Sequence, residues 1–280
     1  MDSVKTWGQA LEFQMRRWKR TRSAKTTLIN SNHITRHVGL SYPISKMGKT
    51  GFWMNLQEEL LDEQKSSSTV NRICSTGSHV IKQTYLADLH KTPCPKFKRL
   101  KEGQHRMTWF TKDQVEQLVF TAIDVFDRPD IADAILFSAF TGVRQGELLK
   151  LKGRDLDLSE WKLWIGGKPD LVTKGSNVRW VRIPERIRDI CIARQDNKLL
   201  FGGDWKGKDQ LYYHFCRIRD YCDIPNDHVW HSLRHSYGTW LGEVTQIKTI
   251  QACMGHSDIS TTMRYVKATD SAIEAAGDAL

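Results

Sequence analysis

The sequence predicts a mainly α-helical protein with a small antiparallel sheet, divided into two domains. Three observations support this fold class. The chain has 280 residues, of which 40% are hydrophobic, enough for two ordinary cores. Apolar residues recur at steps of three and four along most of the chain, as on helices with one buried face. A single pair of segments alternates in the β manner, and the two flank a good turn sequence.

A helical domain is expected over residues 1–92. Its helical periodicity falls into four stretches, the last two separated by a Ser-rich break: WGQALEFQMRRWKR, KTTLINSNHITRHVG, GFWMNLQEELLDEQ and STVNRICSTGSHVIKQTYLADLH. The next stretch, KTPCPKFKRLKEGQHRM, has two prolines, six lysines or arginines and little periodicity. These features predict an interdomain linker over residues 93–107.

A second domain is expected over residues 108–280. Thr111 and Gln114 have the spacing of a capping box and mark the start of its first helix. A long apolar helix, a Thr-Gly break and a second helix start follow in DIADAILFSAFTGVRQGELLKL. WKLWIGG and VRWVRIP alternate around TKGSN and predict a hairpin. Further helices are predicted at PERIRDICIARQ, KDQLYYHFCRIRDY, WHSLRHSYGTWLGEV, QIKTIQACMG, DISTTMRYV and the tail SAIEAAGDAL. Gly255 is well placed to cap one of them.

Simple patterns exclude several classes of protein. The chain has no stretch of about 18 apolar residues, and its start lacks the basic-then-apolar order of a secretion signal. We therefore expect a cytoplasmic protein that does not act at a membrane. The six cysteines form no C-x-x-C pair, which fits neither a zinc site nor a disulfide framework. Reduced, partly buried thiols are expected instead.

The net charge of +10 is concentrated in the first third of the chain. Residues 1–100 contain 17 lysines and arginines against 7 acidic residues, whereas residues 101–280 contain 25 of each. A basic excess of this size suits a polyanion, whose phosphates would make binding salt-dependent. A basic surface that serves solubility alone is the alternative, and the charge of the linker is open to the same two interpretations.

Histidine and arginine side chains share one face of a helix predicted late in the chain. His231 and His235 have the spacing of two metal ligands, but the glutamate of H-E-x-x-H is absent and no third ligand is evident, which disfavours a metal site. His231 and Arg234 also share a face. An arginine beside a histidine suits a phosphate, because the guanidinium grips two oxygens while the imidazole moves a proton near neutral pH.

Two more cations lie far from this helix in sequence. Arg144 is predicted in the first turn of a helix, where backbone N–H groups also favour an anion. Lys174 is predicted at the tip of the hairpin, from which a long amine can reach a neighbouring site. Neither is specific alone, because a helix-start arginine often forms a surface salt bridge, here with Glu147, and a turn lysine is usually solvated.

The order of these residues resembles the complete active-site signature of the tyrosine recombinase (phage integrase) family, over residues 108–268. The matching positions are Arg144 in T-G-x-R-x-x-E, Lys174 in T-K-x-x-x-x-R, His231 and Arg234 in H-x-L-R-H, His256 in G-H, and Tyr265. The resemblance implies an α+β catalytic domain of tyrosine recombinase type at residues 108–280, preceded by a helical core-binding domain. The N-terminal residues resemble the family only in forming a basic unit of four-helix size.

For the reaction, the resemblance implies attack of Tyr265 on a DNA phosphodiester, which gives a 3′-phosphotyrosyl link and a free 5′-hydroxyl. A phenol with a pKa of about 10 is only roughly one part in a thousand ionised at neutral pH, so it needs help to lose its proton. By the match to the motif, His231 is the general acid or base near the tyrosine. Lys174 donates a proton to the leaving 5′-oxygen.

Cations of the chain, rather than a metal ion, are expected to stabilise the negative charge that develops on the phosphate. Arg144 and Arg234 would stabilise the non-bridging oxygens, with His256 as a further donor. Glu147 and His235 are taken as supporting neighbours. No metal or other cofactor is expected. The exchange of one phosphate ester for another also needs no ATP, and the sequence has no G-x-x-x-x-G-K-[ST] loop.

The resemblance also implies partners. They are double-stranded DNA with core-type recombination sites and three further copies of the chain, since recombination proceeds through a tetramer and a Holliday junction. Host DNA-bending or directionality factors are candidate additional partners. Action on DNA implies the nucleoid, in the host cytoplasm if a phage encodes the chain. The tail fits either a helix that docks on a neighbouring subunit or a frayed acidic end.

Two features of the sequence bear on the kind of recombinase. The first helix begins by about residue 5, which leaves no room for the arm-binding domain of many phage integrases. This favours a compact integrase or a Xer-like resolvase, and the spacing in LGEVTQIKTIQACMGHSDISTTMRYV favours a phage or mobile-element integrase. A catalytically silent DNA-binding relative would have lost an active-site residue. A type IB topoisomerase would share the nucleophile and the arginines.

Tyr237 is the rival nucleophile, because it lies three residues after Arg234. Its core-like apolar position on the same helix favours packing instead. Tyr212, Tyr213 and Tyr221 lack any matching context.

Overall fold

The computed structural model describes residues 3–18, 24–93, 95–103, 107–167, 178–201 and 205–266. The chain forms two compact units, Met1–His105 and Arg106–Leu280, each with its own hydrophobic core. The described residues are mainly α-helical and contain a three-stranded antiparallel sheet, which confirms the predicted fold class. Lys174 and the predicted tail helix lie outside the described residues.

The first unit is helical, and its helices pack around a core that includes Trp7, Trp18 and Trp53. The described helices are α1 (Trp7–Trp18), α2 (Ala24–Val38), α3 (Ile44–Met47), α4 (Thr50–Asp62) and α5 (Ser67–Leu86). A Cβ at Gly77 would lie 2.5 Å from Ile34 Cδ1 and 2.7 Å from Trp53 Cη2. The long helix α5 therefore approaches α2 and α4 closely at this residue.

Much of the segment predicted as a linker is fastened to the first unit. The buried Asn71 side chain donates to the carbonyl of Leu100 and accepts from its N–H, both at 2.9 Å. Gln57 donates to the carbonyl of Lys98 at 3.0 Å, and the ring of Phe97 stacks on Trp53 with 5.3 Å between centroids. Side chains of α4 and α5 satisfy this backbone, so residues 95–103 pack on the unit without forming a periodic element.

The second unit begins with two paired helices, α6 (Lys112–Asp124) and α7 (Pro129–Thr141). The predicted capping box is present: Gln114 N donates to Thr111 Oγ1 at 3.1 Å, and Thr111 N donates to Gln114 Oε1 at 2.9 Å. Helix α7 is buried along most of its length and ends at Gly142, whose φ of 63° is left-handed. The Thr-Gly break was therefore predicted correctly.

The helix after this break is short, and it begins one residue later than predicted. Helix α8 (Gln145–Leu148) makes one turn, and Arg144 is its N-cap rather than a first-turn residue. The reason is local, because the Glu147 carboxylate accepts the Arg144 N–H at 2.9 Å and so completes the helix start. The prediction that Arg144 lies within the first turn is wrong by one residue.

The sheet contains the two predicted strands and one that the pattern missed. Strands β1 (Leu156–Asp157), β2 (Lys162–Ile165) and β3 (Arg179–Arg182) lie in this order and pair antiparallel. In the β2–β3 register, Leu163 lies opposite Val181 on the buried face, and Trp164 lies opposite Trp180 on the other. Strand β1 has two residues, too few to show an alternation.

Helices complete the described part of the second unit. They are α9 (Arg188–Arg194), α10 (Lys208–Tyr221), α11 (Trp230–Gly242), α12 (Ile247–Met254) and α13 (Ser260–Met263). Gly255 ends α12 with a left-handed φ of 61°, as predicted. The helix predicted at DISTTMRYV is shorter than expected. It ends at Met263, and Tyr265 lies in the following turn. Within the ranges described, no helix is long and apolar enough to cross a bilayer.

Candidate active site

The described residues of the predicted signature come together in the second unit. Arg144 precedes α8, His231 and Arg234 lie on α11, His256 follows α12, and Tyr265 follows α13. The sixth residue, Lys174, lies outside the described residues. The contacts that join the other five, and the residues that support them, define the candidate active site.

Arg234 is the buried centre of the site, with 2% of its surface exposed. Its guanidinium donates to the carbonyls of Gly142 and Met254, and Nη2 lies 3.3 Å from His256 Nε2. Burial, and to a lesser extent repulsion from Arg144 and Arg179, lower the pKa of Arg234 to about 10. The guanidinium therefore stays protonated at neutral pH and joins the ends of α7 and α12.

His256 is held from both sides of its ring. Nδ1 lies 2.9 Å from Thr262 Oγ1, while Nε2 faces Arg234. Because a guanidinium only donates, Nε2 accepts and Nδ1 carries the proton in this arrangement. Burial, and then the nearby Arg234 and Arg144, lower the pKa of His256 to about 4. His256 is therefore neutral at pH 7 in the DNA-free chain.

Glu147 lies between two arginines. Oε1 accepts from Arg144 Nη1 at 2.8 Å and from Arg179 Nη1 at 3.2 Å, and Oε2 accepts from Arg179 Nη2 at 2.8 Å. Burial raises the pKa of Glu147, but the hydrogen bonds and charges of Arg179 and Arg144 outweigh it and lower the pKa to about 2. The ionised carboxylate therefore orients Arg144, whose side chain is 44% exposed.

Tyr265 is almost fully buried, with 5% of its surface exposed. Its hydroxyl lies 2.8 Å from His235 Nδ1, and its ring stacks on His256 with 6.1 Å between centroids. Burial raises the pKa of Tyr265, an effect that Arg234 and other nearby arginines oppose. The phenol therefore keeps its proton in the DNA-free chain.

Two glycines on α11 make room for this tyrosine. A Cβ at Gly238 would lie 2.8 Å from the Tyr265 ring, and a Cβ at Gly242 would lie 2.1 Å from the Tyr265 carbonyl oxygen. A side chain at either position would displace the turn that carries the hydroxyl. The sequence shows the glycines but not what they face, so their role was missed.

His235, predicted as a supporting neighbour, is the imidazole in contact with the Tyr265 hydroxyl. Burial, and then repulsion by His231 and arginines, lower the pKa of His235 to about 4. A neutral ring with an unprotonated Nδ1 can accept the phenol proton in a hydrogen bond. His231 lies behind it, edge-to-face at 4.7 Å between centroids, and is itself exposed. The imidazole nearest the Tyr265 hydroxyl is therefore that of His235 rather than that of His231, the residue that the motif indicated.

The other tyrosines are placed differently. Burial, aided by Cys253, raises the pKa of Tyr237, whose ring packs against Gly142. Tyr212, Tyr213 and Tyr221 lie on α10 with exposed rings. In the described part of the chain, no group of three His, Cys, Asp or Glu side chains is arranged to hold a metal ion.

Comparisons with known proteins place the chain in a family. The model of the Phage integrase family matches residues 108–272. A tyrosine recombinase XerA of Thermococcus kodakarensis is 31% identical over 171 residues, which are 57% of this chain and 57% of that protein. The integrase of Escherichia phage 186 is 26% identical over 176 residues, 62% of this chain and 48% of that protein. The chain thus spans about half the length of the curated relatives it matches.

Solved structures show the same fold. The Tn1549 transposon integrase, solved with transposon right end DNA, has a TM-score of 0.75 at 18% identity over 98% of both chains. Lambda integrase, solved as a tetramer bound to a Holliday junction, has a TM-score of 0.76 at 14% identity over 96% of this chain and 80% of that one. At these identities the likeness concerns the fold alone. Because the family model covers more than half of its length, the chain belongs to the phage integrase family.

Proposed function

We propose that this chain is a site-specific DNA recombinase that cuts and rejoins DNA through a covalent link between Tyr265 and a 3′-phosphate. The observation that carries the proposal is the hydrogen bond between the Tyr265 hydroxyl and the neutral imidazole of His235, within a cluster of arginines. A phosphodiester needs a nucleophile, a proton acceptor and cations for the charge that develops. The site supplies all three.

Arg144 and Arg234 would hold the scissile phosphate. The exposed guanidinium of Arg144 is fixed on one side by Glu147 and can donate to a non-bridging oxygen with its remaining N–H groups. Arg234 is already bonded to two carbonyls, so it would mainly supply buried positive charge close to the phosphate. A phosphate would also favour the protonated form of His256. Its Nε2 then gains an N–H and must turn from the Arg234 guanidinium towards the phosphate to donate.

The proton of Tyr265 would pass first to His235, because that ring holds the hydroxyl at 2.8 Å. We assign His231 to the phosphate instead, since part of its surface is exposed to solvent. The burial of the rest of the side chain, and then the nearby Arg234 and Arg144, lower the pKa of His231, so it lies beside the same cations that would hold the phosphate. Lys174 keeps its proposed role as the donor to the leaving 5′-oxygen. The 3′-phosphotyrosyl ester retains the energy of the broken bond, so a free 5′-hydroxyl can attack it and release Tyr265. The 5′-hydroxyl of the same strand restores the original bond, and that of a partner strand completes the exchange.

The proposed substrate is double-stranded DNA carrying core-type sites, and the proposed assembly is a tetramer. The lambda relative was solved as a tetramer on a Holliday junction, and the Tn1549 relative with transposon DNA. The basic excess of residues 1–100 fits a long DNA contact by the first unit. Because recombination would act on chromosomal DNA, we propose that the chain works at the nucleoid in the cytoplasm.

Among recombinases, we propose a phage or mobile-element integrase, assisted by host DNA-bending or directionality factors. A Xer-like resolvase is the second candidate, because a XerA recombinase is 31% identical over the matched residues. The two differ in the DNA they join. An integrase joins the ends of an element to a target site, whereas a resolvase converts a dimeric replicon into monomers.

A cleavage assay tests the proposal. Duplexes that bind the chain are first selected from a randomised pool, and the winning site is then nicked just 3′ of each candidate phosphate, so that the short 5′-hydroxyl fragment diffuses away. In EDTA, wild type should give a covalent protein–DNA band on a denaturing gel, and Tyr265→Phe should give none. Tyr237→Phe is the matched control and should retain the band.

Three results would contradict the proposal. A band that requires Mg²⁺ would remove the cation-only mechanism. A band kept by Tyr265→Phe and lost by Tyr237→Phe would reassign the nucleophile. Relaxation of any supercoiled plasmid, without need of the selected site, would indicate a topoisomerase.

A further inference from the structure

Arg179 is a buried arginine at the start of β3 that the proposed reaction leaves without a role. It is the arginine of the T-K-x-x-x-x-R context in the sequence. Its side chain is 7% exposed, although arginine is rarely buried unless fully paired. The way in which its donors are used therefore indicates why it is there.

One end of the guanidinium holds Glu147. Nη1 and Nη2 of Arg179 donate to the two carboxylate oxygens at 3.2 and 2.8 Å, a two-pronged contact that fixes the plane of the carboxylate. The same carboxylate accepts from the backbone N–H and from Nη1 of Arg144 at 2.9 and 2.8 Å. The orientation of Arg144 therefore depends on a carboxylate that Arg179 holds in place.

The other end of the side chain holds the C-terminal end of α12. Nε of Arg179 donates to the carbonyl of Cys253 at 2.9 Å. The next carbonyl, that of Met254, accepts from Arg234. Gly255 follows, where a Cβ would lie 2.7 Å from Arg179 Cδ, so the backbone passes directly over the arginine. The position of His256 is thus fixed by two arginines, one of which also fixes Arg144.

We infer that Arg179 is a positioning residue that sets the distance between Arg144 and His256 without touching DNA itself. The inference rests on the proposed function, because it concerns the same phosphate site. One planar guanidinium spans the carboxylate and the carbonyl, and the compact ammonium of lysine cannot reproduce this bridge. Loss of the bridge would let the two phosphate-binding groups shift relative to each other while the buried positive charge is kept.

The test is single-turnover cleavage of the nicked site by the full-length variant Arg179→Lys, with DNA affinity and thermal unfolding measured in parallel. The cleavage rate constant should fall by about 100-fold, the effect of a misplacement of roughly 1 Å. The Kd for DNA should stay near the wild-type value. The melting temperature should fall, because lysine leaves part of the contacts to Glu147 and Cys253 unmade, but the variant should remain folded at the assay temperature. Arg182→Lys is the matched control on the same strand. Among the contacts described, Arg182 donates only to the carbonyl of Glu160, so this variant should cleave like wild type.

A double-variant cycle shows whether Arg179 acts through Glu147. If it does, Arg179→Lys combined with Glu147→Gln should cleave no more slowly than the slower single variant. If the rate loss of the double variant equalled the product of the two single losses, the two residues would act independently and the inference would be contradicted. Wild-type cleavage by Arg179→Lys would also contradict it, as would a joint loss of cleavage, DNA affinity and the folded state at the assay temperature, which would mark a purely structural arginine. Absence of any adduct with the wild-type chain would instead refute the proposed function.

Discussion

Tyr265 and His235 form the smallest unit on which the proposed chemistry depends. The phenol is buried, and burial raises its pKa, so the anion that attacks a phosphate is scarce in the DNA-free chain. His235 faces the hydroxyl as a neutral ring, because its own pKa is lowered to about 4. An incoming phosphate would raise the pKa of this histidine and so make it a better base just when the nucleophile is needed.

Replacement of His235 should therefore harm cleavage more than replacement of His231. With His235→Gln, the single-turnover rate constant should fall by about 10²- to 10⁴-fold, the usual contribution of a general base. His231→Gln should cause a smaller loss and a weaker affinity for the scissile phosphate. Cleavage rates on the nicked site and binding curves with the intact site measure both. A larger rate loss with His231→Gln would return the proton-accepting role to that residue.

His235 and His256 make the stability of the folded chain depend on pH. The pKa values of His235 and His256 are about 4 in the folded chain, against about 6.5 in an unfolded one. Between these values the unfolded chain binds more protons, so stability is fully present above about pH 6.5 and is lost as the pH falls towards 4.

Urea unfolding at pH 7.5 and pH 5 checks this prediction. The midpoint should be lower at pH 5, and the difference should shrink in the double variant His235→Gln, His256→Gln. Other histidines with lowered pKa values, such as His214, would keep part of the effect. A double variant with the wild-type pH dependence would show that the two site histidines are not depressed as described.

At the scale of elements, α11 organises the site. It carries His231, Arg234 and His235 on successive turns and presents Gly238 and Gly242 to the turn of Tyr265. The glycines matter because Tyr265 packs directly against the backbone of this helix. Precision of this kind arises from a rigid helix rather than from a loop.

The variant Gly238→Ala tests this packing of Tyr265 against α11. The new methyl group would lie 2.8 Å from the Tyr265 ring, so the variant should lose about 1–3 kcal/mol of stability and much of its cleavage activity. Gly51→Ala, in α4, is the control, because a Cβ there meets nothing within 4 Å. It should be stabilised by about 0.5–1 kcal/mol through better helix propensity. Thermal unfolding and the cleavage assay distinguish the two, and equal behaviour of both variants would contradict the described packing.

The long helices were predictable from sequence because their periodicity is local. Helix α10 spans Lys208–Tyr221, the predicted stretch, and the capping box at Thr111 is present. The helix predicted at DISTTMRYV was too long, since α13 stops at Met263 and a turn follows. The start of α8 was predicted one residue too early, because Glu147 accepts the N–H of Arg144 and makes that residue the N-cap. The fastening of residues 95–103 was missed because it depends on buried amides, such as that of Asn71, far away in sequence.

The site was predictable as a set of residues but not as a geometry. The order of Arg144, His231, Arg234 and Tyr265 indicated the family, which the family model confirms. Order does not show which imidazole touches the hydroxyl, and His235 was therefore taken for a supporting residue. Arg179 was part of the motif but received no role, because its partners Glu147 and Cys253 lie on other elements.

At the scale of the whole molecule, charge and chemistry are divided between the two units. The excess of basic residues lies in residues 1–100, whereas residues 101–280 are balanced and hold the site. A chain beginning at Arg106 should therefore bind DNA more weakly than the full chain. The slope of log Kd against log salt should also be flatter, since each lost phosphate contact removes about 0.9 from it. Binding titrations at several salt concentrations measure the slope, and an unchanged slope would show that the first unit does not contact phosphates.

Chemical mapping of the trapped adduct tests the central claim most directly. The covalent complex formed by the wild-type chain on the nicked site is digested with protease and nuclease, and the peptide that carries a nucleotide is identified by mass spectrometry. A single peptide with a nucleotide 3′-phosphate on Tyr265 is the expected result. A nucleotide on Tyr237 or any other residue, or a link to a 5′-phosphate, would contradict it.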